Sequence, residues 1–145
     1  MIERDDSVVV TAFVRFLAPT IQLFGLYVLV HGQESPGGGF QAGVILAATY
    51  LALALGLGRE TLDRRVNERA CLGLAAGGVG LYVLTGVLPM LGGAPFLDYG
   101  ELPLPVDAVR ARYLGILFIE TGVGLAVAAT IVLIFCRLAD RDRPA

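Results

Sequence analysis

There is no lysine and no tryptophan in these 145 residues, only one histidine and two cysteines, and each scarcity closes off a class of function. Without lysine, all 11 basic residues are arginine, and they stand mostly at the ends of apolar runs. They form no patch that would bind phosphates, and a net charge of −2 gives no sign of a nucleic-acid partner. Cys71 and Cys136 show neither a CxxC nor a Cys/His spacing. No metal or redox site is expected from them, and both read as small apolar helix residues. No nucleophile stands with a base and no cofactor motif is present, which argues against an enzyme and against a bound cofactor.

Apolar residues dominate instead. Hydrophobic residues make up 56% of the chain and charged residues 17%, with a mean hydropathy of +0.74. A soluble domain of this length carries more charge. Crossing a bilayer takes about 20 apolar residues, and four stretches qualify: 8–31, 40–57, 70–91 and 114–136. The expected fold is all-α, a polytopic membrane protein with a bundle of four transmembrane helices in one domain spanning 1–145. A loop at 58–69 and a longer one at 92–112 connect them. The N-terminus opens acidic and shows no small-residue cleavage pattern, so the first run is expected to stay as a membrane helix. Arg4, Arg59, Arg64, Arg65, Arg69, Arg137, Arg141 and Arg143 fall on one side, against Arg110 and Arg112 on the other. Positive residues are retained inside, so both termini are expected to be cytoplasmic and the 92–112 loop to face outward.

Lipid is as apolar as leucine, so helices in a membrane associate where small residues let backbones approach. Gly39, Gly43 and Ala47 step by four along the second helix, and so do Ala48, Ala52 and Gly56. Gly73 and Gly77 make a GxxxG pair in the third, and Gly115, Gly122 and Ala129 recur every seven residues in the fourth.

The polar residues inside these helices are the functional candidates. Glu120 is foremost: a carboxylate at membrane depth tends to bind a proton or a cation, or else serves as a hydrogen-bonded acid at an interface. Tyr113, Leu117, Gly124 and Val127 share its helix face. Thr11, Arg15 and Gln22 form a polar stripe on the first helix that should face protein. Arg15 is expected near the cytoplasmic end, snorkelling to headgroups, and Gln22 at a level where it is the better partner for Glu120. His31 ends the first helix, where a histidine caps the last carbonyls or, as the side chain titrating nearest neutrality, passes a proton. Asp98, Glu101 and Asp107 on the outer loop are expected to be solvated, with Phe96 and Tyr99 as interface anchors. Ser35, Pro36, Gly37, Gly38, Gly39, Gln41 and Gly43 mark a turn. A phosphate cradle there would need a following Lys-Ser or Lys-Thr and a preceding strand. The glycines read instead as a sharp turn seating the second helix tightly on a neighbour.

Four pieces in order, Arg15 to Gly32, Ser35-Pro-Gly-Gly-Gly-Phe-Gln-Ala-Gly43, Phe96-Leu-Asp-Tyr-Gly100 and Glu120 to Ile131, resemble the MnhB/MrpB family, small membrane subunits of the Mrp (Mnh, Sha) cation/proton antiporters. The resemblance covers nearly the whole chain. It implies an accessory subunit of a hetero-oligomeric complex in a bacterial or archaeal cytoplasmic membrane, partnered by the other antiporter subunits and exchanging sodium for protons. Related complexes include the membrane-bound hydrogenases, which contain similar small subunits. A purely structural module is the competing class. An autonomous transporter like the four-helix multidrug exporters fits less well, because those place their acid in the first helix and need an aromatic cage.

Overall fold

The computed structural model describes residues 7–34, 37–58 and 66–141. The expectations placed on Ser35 and Pro36, and on the orienting arginines Arg4, Arg59, Arg64, Arg65 and Arg143, fall outside these residues. Four helices, each long and apolar enough to cross a membrane, account for most of the described residues, and no strand occurs among them. They are α1 (Val8–Val30), α2 (Gly39–Leu57), α3 (Glu68–Leu91) and α4 (Ala108–Arg141).

Each start has a local cause. Ser7 accepts a hydrogen bond from the Val10 amide at 3.5 Å, and Asn67 accepts one from the Arg69 amide at 2.9 Å, so both relieve orphan donors at a helix N-terminus. Asp107 does the same for α4, its Oδ2 accepting from the Arg110 amide at 3.3 Å. That cap lets α4 begin in polar sequence, so the apolar run 114–136 is the middle of a longer helix and the connecting loop is shorter than 92–112. Asp107 is exposed, as expected of a solvated loop acid, and caps the helix as well. Asp98 is similarly engaged, accepting from the Gly100 amide at 3.2 Å ahead of a short 3₁₀ turn, Tyr99–Glu101.

In order of backbone contact the helices run α1, α2, α4, α3. α4 packs against both α2 and α3, α1 lies mainly on α2, and the α2 and α3 backbones do not approach each other. α4 is thus the spine of the four-helix bundle, and one cavity, lined by Gln22, Tyr50, Cys71 and Leu125, takes in all four helices. One seam of small and medium residues, Ala47 and Ala54 of α2 with Val132 and Cys136 of α4, forms the core cluster. Buried polar groups on these helices turn inward on their own backbone. Thr49 donates to the Ile45 carbonyl at 3.0 Å and Thr85 to that of Leu81 at 2.8 Å. Large apolar side chains such as Phe16, Leu23, Leu72 and Leu91 remain exposed, as on a chain whose solvent is lipid or another subunit.

The helices are staggered. Gly39, the first residue of α2, meets α4 at Glu120, whereas α3 meets Gly122 with Gly78, near its middle, and continues to Leu91. The α1–α2 turn consequently sits low against the upper part of α3 and α4. Above it the 92–107 loop folds back onto the two longer helices: the Phe96 ring packs on Gly86, the Leu97 amide donates to the Gly86 carbonyl at 3.2 Å, and Tyr99 and Leu102 cover Gly115.

Candidate functional site: a carboxylate in a glycine cradle

Glu120 lies where three segments converge: the residue after α1's cap, the first residues of α2, and α4 itself. The approach depends on glycine. A methyl on Gly39 would run into the backbone of Glu120, and one on Gly43 would stand 2.7 Å from the Gly124 carbonyl oxygen. One on Gly124 would in turn stand 3.2 Å from the Gly39 carbonyl oxygen. With the α2 and α4 backbones this close, the Glu120 side chain lies beside Gly32 and Gly38 of the α1–α2 turn. There a methyl on Gly32 would stand 2.6 Å from Oε2 and 2.7 Å from Oε1, and one on Gly38 would stand 3.3 Å from Oε1. Gly38 has φ 147° and ψ −173°, a region of backbone space open essentially only to glycine. The turn thus needs glycine twice over, for its conformation and for the carboxylate beside it.

Inside this cradle Oε2 of Glu120 is buried and has no hydrogen-bond partner among the described residues. That is an unusual condition, since leaving a buried polar atom unpaired costs about 1–3 kcal/mol, and more when it is charged. The turn is fastened a little higher up, where Gln33 Nε2 donates to the Tyr113 carbonyl of α4 at 3.0 Å. Gln33 carries no motif, and nothing in its sequence neighbourhood distinguishes it from a solvated turn residue.

The remaining candidates are placed as follows. His31 closes α1: its amide donates to the Tyr27 carbonyl at 3.0 Å, its Nδ1 lies 3.1 Å from the same oxygen, and its ring stacks on Tyr27 at 4.2 Å between centroids. These contacts are of the kind a helix cap makes. Gln41 is exposed and lines a groove with Tyr27 and Phe40, while Gly43 is buried against α4. Gln22 does not reach Glu120. It lines a cavity of about 390 Å³ with Tyr50, Cys71 and Leu125, below the carboxylate. The cause is the stagger: Gly25 of α1 already faces Ile45 and Leu46 of α2, roughly 10 Å along that helix from Gly39. Glu120 is level with the end of α1, not its middle. Arg15 follows Val14, which packs on Gly56 at the opposite end of α2, so Arg15 and Glu120 are far apart, as the spacing predicts. Its side chain is exposed rather than turned to protein within this chain, whereas Thr11 and Gln22 are half-buried.

Of the small-residue stripes, Gly115, Gly122 and Ala129 are all buried, against the loop, α3 and the core respectively. Gly39, Gly43 and Ala47 are buried along α4. Gly73 and Gly77 face open space. At the lower end an exposed ion pair, Arg137 to Glu68 at 2.8 Å, links α4 to α3. Among the described residues no group of three or more His, Cys, Asp or Glu is placed to hold a metal ion.

Comparison with known proteins connects this architecture to a family. Residues 9–133 match the family model described as a domain related to the MnhB subunit of Na+/H+ antiporter. The chain is 28% identical over 137 residues to the B subunit of the Na(+)/H(+) antiporter of Bacillus subtilis, covering 89% of this chain and 95% of that one. It is 27% identical over 132 residues to a Staphylococcus aureus protein designated antiporter subunit mnhB2, covering 86% of this chain and 93% of the relative.

Proposed function

This chain belongs to the MnhB family of Na+/H+ antiporter subunits, and on that premise we propose that it is an accessory membrane subunit of an Mrp-type antiporter with Glu120 on the ion route. It would cross the cytoplasmic membrane of a bacterium or archaeon four times with both termini inside, work alongside the other antiporter subunits, and have no enzymatic turnover of its own. The observation that carries the ion-route reading is the buried Oε2 of Glu120, which has no hydrogen-bond partner among the described residues. A carboxylate placed only to hold helices together would be hydrogen-bonded, because an unsatisfied one destabilises the contact it is meant to secure.

A second reading, a purely structural subunit, is favoured by the backbone contact of Gly39 with Glu120, which would join α2 to α4 whatever the side chain did. Sodium-dependent proton exchange in vesicles holding the complete complex separates the two. Glu120→Gln keeps the shape of the side chain and removes its charge. Loss of exchange with the complex intact on a native gel supports the ion route; wild-type exchange leaves the structural subunit.

A further inference from the structure

We infer that the Glu120 site takes up a proton and excludes a metal cation. The inference rests on the reading of Glu120 as an ion-handling residue and names its ligand. A hard cation is held by a shell of about six oxygens, with several carboxylates or carbonyls turned toward it. Here both carboxylate oxygens lie against the turn so closely that a methyl carbon added at Gly32 would stand 2.6 Å and 2.7 Å away, which leaves no room on that side for a ligand shell. Among the described residues no group of three or more His, Cys, Asp or Glu, with or without Glu120, is placed to hold a metal ion. A proton needs no such shell and no such room.

The surroundings also suit both states of a proton carrier. The turn joins the C-terminus of α1, whose last carbonyls are acceptors, to the N-terminus of α2, whose first amides are donors. The two helix ends carry opposite partial charges side by side, so neither the neutral acid nor the carboxylate is strongly favoured by dipoles. Among the described residues no fixed cation overrides this balance. The guanidinium of Arg112 lies beside Gly100, and the Arg137–Glu68 pair lies at the other end. Other titratable side chains on the segments packed here include Tyr27 at the end of α1, His31 and Glu34 in the turn, Tyr82 on α3 and Tyr113 on α4; the first turn of α2 carries none. The event is a simple one: Oε2 gains a proton, forming an O–H bond, and releases it again with no other bond made or broken.

Infrared difference spectroscopy on the purified complex tests this, comparing wild type with Glu120→Gln in sodium-free and sodium-saturated buffer at one pH. The expected result is a carboxylic acid carbonyl band that moves in heavy water, disappears in Glu120→Gln, and is unchanged by sodium. A band abolished by sodium at constant pH, or no acid band at any pH at which the complex exchanges ions, overturns the inference. Glu120→Asp covers the case in which the Gln variant does not assemble: the acid is kept but displaced by one methylene, so a Glu120 band must shift. A band that stays fixed belongs to another residue and also overturns it. Failure of the underlying functional reading appears separately, as wild-type exchange by Glu120→Gln whatever the spectrum shows.

Discussion

Gly32 and Glu120 are pressed together so closely that the missing Cβ of one would stand 2.6 Å from Oε2 of the other. The contact joins two features that look independent in the sequence, a glycine-rich turn and a lone acid in an apolar helix. It makes the turn the wall of the carboxylate's site.

Gly32→Ala should therefore act on function through Glu120. Overpacking of this kind costs about 1–3 kcal/mol, and two neighbours must give: the carboxyl, the far end of a flexible side chain, and the Gly38 Cα, which would stand 2.7 Å from the added methyl. The complex is expected to assemble, with sodium-dependent exchange lowered by roughly tenfold, the equivalent of about 1.4 kcal/mol on the barrier. Exchange in vesicles, normalised to complex content, is the readout. Exchange at the wild-type level would show that the carboxyl is not confined as described.

The glycines of α2 and α3 should separate cleanly by position. Gly39→Ala drives a methyl into the Glu120 backbone, which cannot swing aside, whereas at Gly73 there is nothing within 4 Å. Thermal unfolding of the purified chain in detergent, followed by circular dichroism, should show Gly39→Ala destabilised by about 1–3 kcal/mol or more. Gly73→Ala should be neutral or slightly stabilising, as alanine is the better helix former by up to about 1 kcal/mol. If the two variants melt alike, the α2–α4 contact is not as close as the structure has it.

Gln33→Ala removes the side-chain bond from the turn to the Tyr113 carbonyl. An exposed hydrogen bond of this sort contributes about 0.5–1.5 kcal/mol, so the fold should survive while the turn opens more often. Hydrogen exchange of the turn amides should speed up by about tenfold or less, the factor that 1.4 kcal/mol represents, with α3 unaffected. Unchanged exchange in the turn would mean that the bond fastens nothing.

How much of this was legible in the sequence depended on whether the signal was local. Apolar runs located the four helices, and spacing alone picked out the stripes Gly39-Gly43-Ala47 and Gly115-Gly122-Ala129 that the structure buries. Glu120 stood out because a carboxylate at membrane depth has few innocent explanations. The Asp107 cap was also readable, being an Asp just ahead of a helix, but the apolar run hid it by starting later. What could not be read was register between helices. Depth counted from helix ends assumes that all four begin and end in the same planes, and the stagger breaks that assumption, moving Gln22 away from Glu120 and bringing Gly32 to it. Gln33 was invisible for the same reason, since its partner on α4 is defined by that register.

His31 offers the last test, because its position beside Gly32 makes a proton-entry role tempting. Its contacts are those of a cap: Nδ1 lies 3.1 Å from the Tyr27 carbonyl and the ring stacks on Tyr27. A cap needs a donor and a flat, packable group, and it does not need an ionisable one. His31→Gln supplies a donor at similar reach without titrating near neutrality. It is expected to leave the pH profile of exchange in the assembled complex where it is in the wild type. His31→Leu removes the donor and should lower stability by about 0.5–1.5 kcal/mol, again without moving the profile. A displaced profile in His31→Gln, with assembly intact, would assign the imidazole to the proton path instead, one residue from the glycine that walls in Glu120.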